Sequence, residues 1–189
     1  MSEILRSIRK KPVIAALRGV QLLETALMSS VSTLFFLNAD IQSLAPLTEK
    51  AKVHQKNAFF HFEFIDGLGR DSSAVRYLTQ IAKPDGIITT RVNTIRDAKE
   101  AGFFTVQRFF MVDRQSYETA LKNIEIAKPD IIELMPGIMP QIISRMAADT
   151  DIPIIAGGLI TTKDEAFSAM QAGAVAVSTG TQDLWNIYK

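Results

Sequence analysis

The chain has no cysteine, two histidines and one tryptophan in 189 residues. Without cysteine there is neither a disulfide nor a thiolate metal site. His54 and His61 are too few for a histidine-based zinc centre. No apolar run approaches the roughly 20 residues that span a bilayer. The first eleven residues are polar and basic, without the apolar centre of a secretory signal, so a soluble cytoplasmic protein is expected. Charge of neither sign dominates: 21 basic and 20 acidic residues leave a net charge of +1. Global charge therefore singles out neither nucleic acid nor a membrane as partner. There is no GxGxxG fingerprint after the first apolar run, where Arg18-Gly19-Val20 stands instead.

What is present is a core-forming composition, 47% hydrophobic, at a length that suits one domain over residues 1–189. Eight short apolar runs alternate with longer amphipathic stretches. They cover residues 12–17, 33–38, 58–64, 86–90, 104–109, 130–134, 154–158 and 174–179. Rich in Val, Ile and Phe, they read as parallel strands buried on both faces. The intervening stretches read as helices. One runs over 70–82 behind Asp71, and one over 113–127 behind Asp113. Another runs to 172 behind the capping box Thr162-Lys163-Asp164-Glu165. Gly102 and Gly173 follow helices where positive φ is needed. The first connecting helix, near 21–29, and the last, near 183–188, are weak.

Residues 81–90 (IAKPDGIITT) and 126–135 (IAKPDIIELM) echo each other. In each a helix ends in Ile-Ala, Lys-Pro-Asp breaks it and a strand begins, because proline disfavours helical geometry before it. Shared turn chemistry and duplication both explain the echo. Eight βα units of minimal length, without a dinucleotide fingerprint, point to a small single-domain α/β protein: a (β/α)8 TIM-like barrel rather than an open doubly wound sheet.

In such a barrel ligands bind at the C-terminal strand ends, and phosphate sits at the loops after strands seven and eight. Those loops hold Gly157 and Gly158, and Ser178, Thr179 and Gly180. Glycines admit backbone N–H groups to a phosphate, and hydroxyls add donors. The same residues also suit ordinary tight turns. Alternation places Phe59, His61 and Glu63 on one face of the third strand, with Glu63 toward the mouth, and packs Phe60, Phe62 and Phe64 under the helices. Glu63 and Glu133 are candidates for ligand hydroxyls or for a general base; the plainer reading is ion pairing with Arg91 or Arg108. Arg18, Arg91 and Arg108 are candidate charge contacts. His61 reads as a hydrogen-bonded core residue. No lysine stands at a strand's C-terminal end, which argues against a Schiff-base aldolase. No catalytic residue, metal or cofactor is expected. The densest basic cluster, Arg6, Arg9, Lys10 and Lys11, reads as a solvated N-terminal helix.

Several segments together resemble one family: PVIAALR near the start, HFEFIDGLGRD (61–71), KPDGIITTR (83–91), VQRFFMVD (106–113), KPDIIELMPGIMP (128–140), IPIIAGGLITTKDEA (152–166) and AGAVAVSTG before Leu184-Trp185. They resemble the glycerol uptake operon antiterminator regulatory proteins, which respond to glycerol 3-phosphate. The resemblance implies a small barrel that senses this phosphorylated metabolite and acts on an mRNA leader so that transcription passes a terminator, without catalysis. Glu63 stands where the family motif is expected to carry Asp, and Ser-Thr-Gly-Thr departs from its Ser/Thr-Ser ending. The alternative class is an isomerase or lyase acting on a phosphorylated triose or sugar, with Glu63 or Glu133 as base. A homo-oligomer is an open possibility, since barrels of this size often associate.

Overall fold

A short helix, α1 (Glu3–Lys10), precedes every strand. Ser2 caps it, its hydroxyl accepting from the Leu5 N–H at 3.2 Å. Its apolar side, Ile4, Leu5 and Ile8, packs on the residues inside the barrel, and Ile8 is wholly buried. The helix therefore plugs the N-terminal end of the barrel. The computed structural model describes residues 2–188.

Eight parallel strands close into the barrel: β1 (Val13–Leu17), β2 (Thr33–Phe36), β3 (Asn57–His61), β4 (Gly86–Thr89), β5 (Phe104–Phe110), β6 (Ile131–Met135), β7 (Ile154–Gly157) and β8 (Ala176–Thr179). Each pairs with its neighbours in chain order, and β1 closes on β8 with Ile14 opposite Ser178. Seven α-helices follow β1 to β7: α2 (Leu23–Met28), α3 (Leu44–Val53), α4 (Ser72–Gln80), α5 (Val92–Glu100), α6 (Arg114–Ala127), α7 (Pro140–Asp149) and α8 (Lys163–Gln171). The eighth unit ends in a 3-10 turn, Gln182–Asn186, whose Trp185 is buried and donates its indole N–H to the Thr179 carbonyl at 2.9 Å.

Period-two alternation divides each strand between two cores. Ile14, Phe35, Phe59, Ile88, Val106, Ile131 and Ile155 fill the barrel with Ile8 of the plug. Leu34, Phe36, Phe60, Ile87, Ile132 and Ile154 pack outward under the helices. Inside, the Phe59 ring meets Phe35 and Phe104 at centroid distances of 5.4 and 5.9 Å. Gly86 is required there, since a side chain would run into the Phe59 ring and the Phe104 carbonyl.

The expected caps form. Asp71 accepts from Ala74 N, and Thr162 and Glu165 make a reciprocal capping box. Gly102 and Gly173 follow their helices at φ +87° and +113°. The echoed Lys-Pro-Asp turns also share one geometry. Lys83 and Lys128 are left-handed, at φ 46° and 47°. The aspartates Asp85 and Asp130 each accept from an N–H in the preceding barrel strand, Ala58 at 2.8 Å and Thr105 at 2.9 Å. The third strand differs from the expectation. It stops at His61, and Phe62–Phe64 forms a 3-10 turn that leads to a two-residue strand, Ile65–Asp66, paired with Ala39–Asp40. Phe62 is buried as expected, but Phe64 is 54% exposed, its ring 4.4 Å from His61 rather than under a helix.

Candidate functional site

At the C-terminal end of the barrel, β1 and β5 to β8 surround a cavity of about 290 Å³. Leu22, Leu37, Met135 and Ile160 give it apolar walls; Arg18, Arg108, Glu133, Gly158, Ser178, Thr179 and Gly180 also line it. The loops after β7 and β8 do meet here, as the fold dictates.

Three strands share a buried polar chain at its floor. Arg108 of β5 is opposite Glu133 of β6 in the ladder. Its Nε donates to Glu133 Oε2 at 2.6 Å, and Ser178 of β8 donates to Oε1 at 2.6 Å. Glu133 is wholly buried and Arg108 is 6% exposed. A buried carboxylate needs such partners, because desolvation disfavours an unpaired charge strongly. The plainer reading of Glu133 as an ion-pair partner is thus what the structure shows, yet the pair also forms the cavity floor. Arg108 commits only Nε, leaving its terminal nitrogens without hydrogen bonds to described residues. The Ser178 hydroxyl donates its hydrogen bond to Glu133, so its oxygen is left as an acceptor at the cavity.

Gly157 lies beneath the lining rather than in it. A Cβ there would stand 2.5 Å from Glu133 Oε1 and 2.6 Å from Ser178 Oγ. Its glycine identity keeps β7 from blocking the bond that spans β6 to β8. Gly158 is in the lining, at φ +77°. Thr179 is a positioning residue. Its hydroxyl donates to the Ile160 carbonyl at 2.7 Å and accepts from Thr181 N at 3.0 Å, tying the two loops together. Arg18 is exposed and forms no ion pair among the described residues.

Glu63 and Arg91 do not reach this cavity. Glu63 Oε1 accepts from the Thr89 hydroxyl and lies 3.9 Å from Arg91 Nε. Its Oε2 is 3.2 Å from His61 Nδ1, without the alignment of a hydrogen bond. His61 is buried as expected but lacks the expected partner. Burial, and then the charge of Arg108, push its pKa down to about 3, against a smaller upward effect of a backbone hydrogen bond. The imidazole is neutral at ordinary pH. Gln107 turns outward from the barrel and is wholly buried, with neither amide atom partnered. The apolar walls had no sequence signal of their own, because Leu22, Leu37 and Ile160 resemble any core residue. No lysine lines the cavity. Among the described residues no helix is long and apolar enough to cross a membrane.

Comparison with known proteins agrees with this architecture. The model of the glycerol-3-phosphate responsive antiterminator family matches residues 13–185. A glycerol uptake operon antiterminator regulatory protein from Listeria monocytogenes superposes with a TM-score of 0.89 at 34% identity, over 93% of this chain and 95% of that one. A glycerol uptake operon antiterminator-related protein from Thermotoga maritima superposes with a TM-score of 0.82 at 30% identity, over 93% and 98%. YgcP of Escherichia coli strain K12 is 32% identical over 98% of this chain and 97% of its own length. From Val13 to Trp185, the chain belongs to the glycerol-3-phosphate responsive antiterminator family.

Proposed function

We propose that the protein is a cytoplasmic, effector-gated antiterminator that binds glycerol 3-phosphate at the barrel mouth and acts on an mRNA leader, without catalysing a reaction. The observation that carries this reading is the two-ended chemistry of one cavity. Arg18 brings a cation without an ion-pair partner, next to loops that can turn N–H groups inward at Gly158 and Gly180. At the floor, Glu133 and Ser178 offer buried acceptors. Phosphate suits the first end, and hydroxyls suit the second. At about 290 Å³ the cavity lies at the small end of ligand pockets, which run to about 300–1,000 Å³. Family membership supports the same effector.

A carboxylate engaged through both oxygens, as Glu133 is, would have to give up a partner to act as a base. This favours binding over turnover. To regulate, the effector must bind the RNA-competent state more tightly than the other.

Calorimetric titration with glycerol 3-phosphate is the direct test, with glycerol and inorganic phosphate as competitors. A dissociation constant of about micromolar to millimolar, roughly −8 to −4 kcal/mol, is expected, with weak competition from either fragment. Absence of binding, or turnover of a triose phosphate that Glu133→Gln abolishes, would overturn the reading. Gly158→Val places a branched side chain at φ +77°, toward Met135 and the cavity. It should abolish effector binding in a protein that still folds, read by calorimetry and circular dichroism.

A further inference from the structure

We infer that the outer face of α1, Arg6, Arg9 and Lys10 with Lys11 after it, holds the phosphates of the RNA, at the end of the barrel opposite the effector cavity; this rests on the RNA-linked reading above. The helix segregates its residues. Ile4, Leu5 and Ile8 turn into the barrel, while Arg6, Arg9 and Lys10, spaced i, i+3 and i+4, share the outward side. None of the four basic side chains makes an ion pair or a hydrogen bond among the described residues. Compensation of the helix dipole accounts for Arg9 and Lys10 in the last turn, but not for Arg6.

The surroundings add to this charge. Lys83 and Lys128, in turns at the same end, are exposed and form no ion pair among the described residues. Buried Lys56 donates to the Ser29 and Val31 carbonyls, and its pKa is pushed down to about 8 by burial and then by Lys11. Of the acids at this end, Asp85, Asp130 and Asp149 are hydrogen-bonded into the fold; Glu3, Glu100, Glu125 and Asp151 face solvent. The loops at the mouth, by contrast, mix the two signs, with Asp66, Asp71, Asp113, Asp164 and Asp183 interspersed among Arg18, Arg70, Arg91, Arg114 and Lys163. The concentrated basic face that would draw a polyanion is therefore the one on α1.

A lipid surface fits less well, because the apolar face that would enter a bilayer is already buried in the barrel. The helix is also joined to the effector site. Ser32 Oγ donates to the Ser7 carbonyl at 3.2 Å, and Ile8 packs in the interior cluster with Ile14, whose ladder partner Ser178 lines the cavity. Continuous packing therefore runs from α1 to the cavity, where Leu37 of the same cluster forms a wall.

The test combines Arg6→Gln, Arg9→Gln, Lys10→Gln and Lys11→Gln in the full chain. Binding to a transcribed leader of a glycerol-utilisation operon from the same genome is measured across salt, with saturating glycerol 3-phosphate. Affinity should fall at least about tenfold, and the slope of log affinity against log salt should shallow by about 2–3. Effector affinity and the melting midpoint should stay at wild-type values, which shows that the variant folds. A control at the mouth end, Arg114→Gln with Lys163→Gln, should keep wild-type RNA affinity. Retained affinity in the quadruple variant, or loss in the control instead, would overturn the surface while leaving the RNA reading intact. No leader binding by the wild type would remove both.

Discussion

Glu133 is a buried and Glu63 a largely buried carboxylate near the end of a barrel strand, and each faces an arginine. Glu133 lies within β6, so alternation aims it into the barrel, where Arg108 and Ser178 occupy both oxygens. Glu63 lies just past the end of β3, in a 3-10 turn, where Thr89 takes one oxygen and the other has no aligned partner. Its arginine, Arg91, is half exposed at 3.9 Å, while Arg108 is buried at 2.6 Å. The difference follows from the backbone. A regular ladder fixes where a side chain points, and one turn of 3-10 helix beyond it cancels the alternation.

The comparison can be broken most sharply at Glu133. Glu133→Ala leaves the Arg108 guanidinium buried and uncompensated, and urea unfolding should show a loss of about 3–5 kcal/mol. A loss under about 1 kcal/mol would mean that Arg108 swings out to water and that the pair is not a structural tie. Arg18→Gln should cost about 1.5–3 kcal/mol of glycerol 3-phosphate affinity, roughly ten- to 150-fold, with an unchanged unfolding midpoint. Unaltered calorimetric affinity would remove Arg18 from the phosphate end.

Protonation offers a gentler lever on the Glu63 side. The pKa of His61 is depressed when folded, to about 3 against 6.5 unfolded. The neutral ring's contribution is complete above about pH 6.5 and declines as pH falls toward 3, at up to about 1.4 kcal/mol per unit. His61→Phe should flatten stability against pH over that window, measured by denaturant titration at each pH; an unchanged slope would place the linkage elsewhere. The smallest effect is expected from Glu63→Gln, which keeps an acceptor for Thr89. Effector affinity should stay within about twofold, and a drop beyond about tenfold would bring Glu63 back into the site.

Much of this was legible before any coordinates. The eight apolar runs, the caps at Asp71, Asp113 and Thr162, and the twin Lys-Pro-Asp turns all rest on local rules that packing reinforced. The gathering of Arg18, Arg108, Glu133, Gly158, Ser178, Thr179 and Gly180 followed from the barrel's parallel order. The end of β3 was not legible. HFEFI alternates like a strand whether or not a ladder partner continues beside it, and β4 offers its last β3 pairing at His61. Nor was the role of Gly157. A glycine that admits a ligand and one that admits a neighbouring side chain look the same in a sequence. The plug formed by α1 was hidden because three apolar residues in a basic helix do not say which surface they cover.

The bond from Ser178 to Glu133, passing the bare Cα of Gly157, means that ligand and protein draw on the same donors. A molecule that recruits the Ser178 hydroxyl as donor must bring an O–H of its own to Glu133, or that carboxylate is left short of a partner, whereas the free nitrogens of Arg108 can be engaged without disturbing it. A bare phosphate or a bare polyol meets only part of that demand. The cavity therefore discriminates by replacement: it favours molecules that restore every hydrogen bond they disturb, and its selectivity is the difference between a completed exchange and an incomplete one.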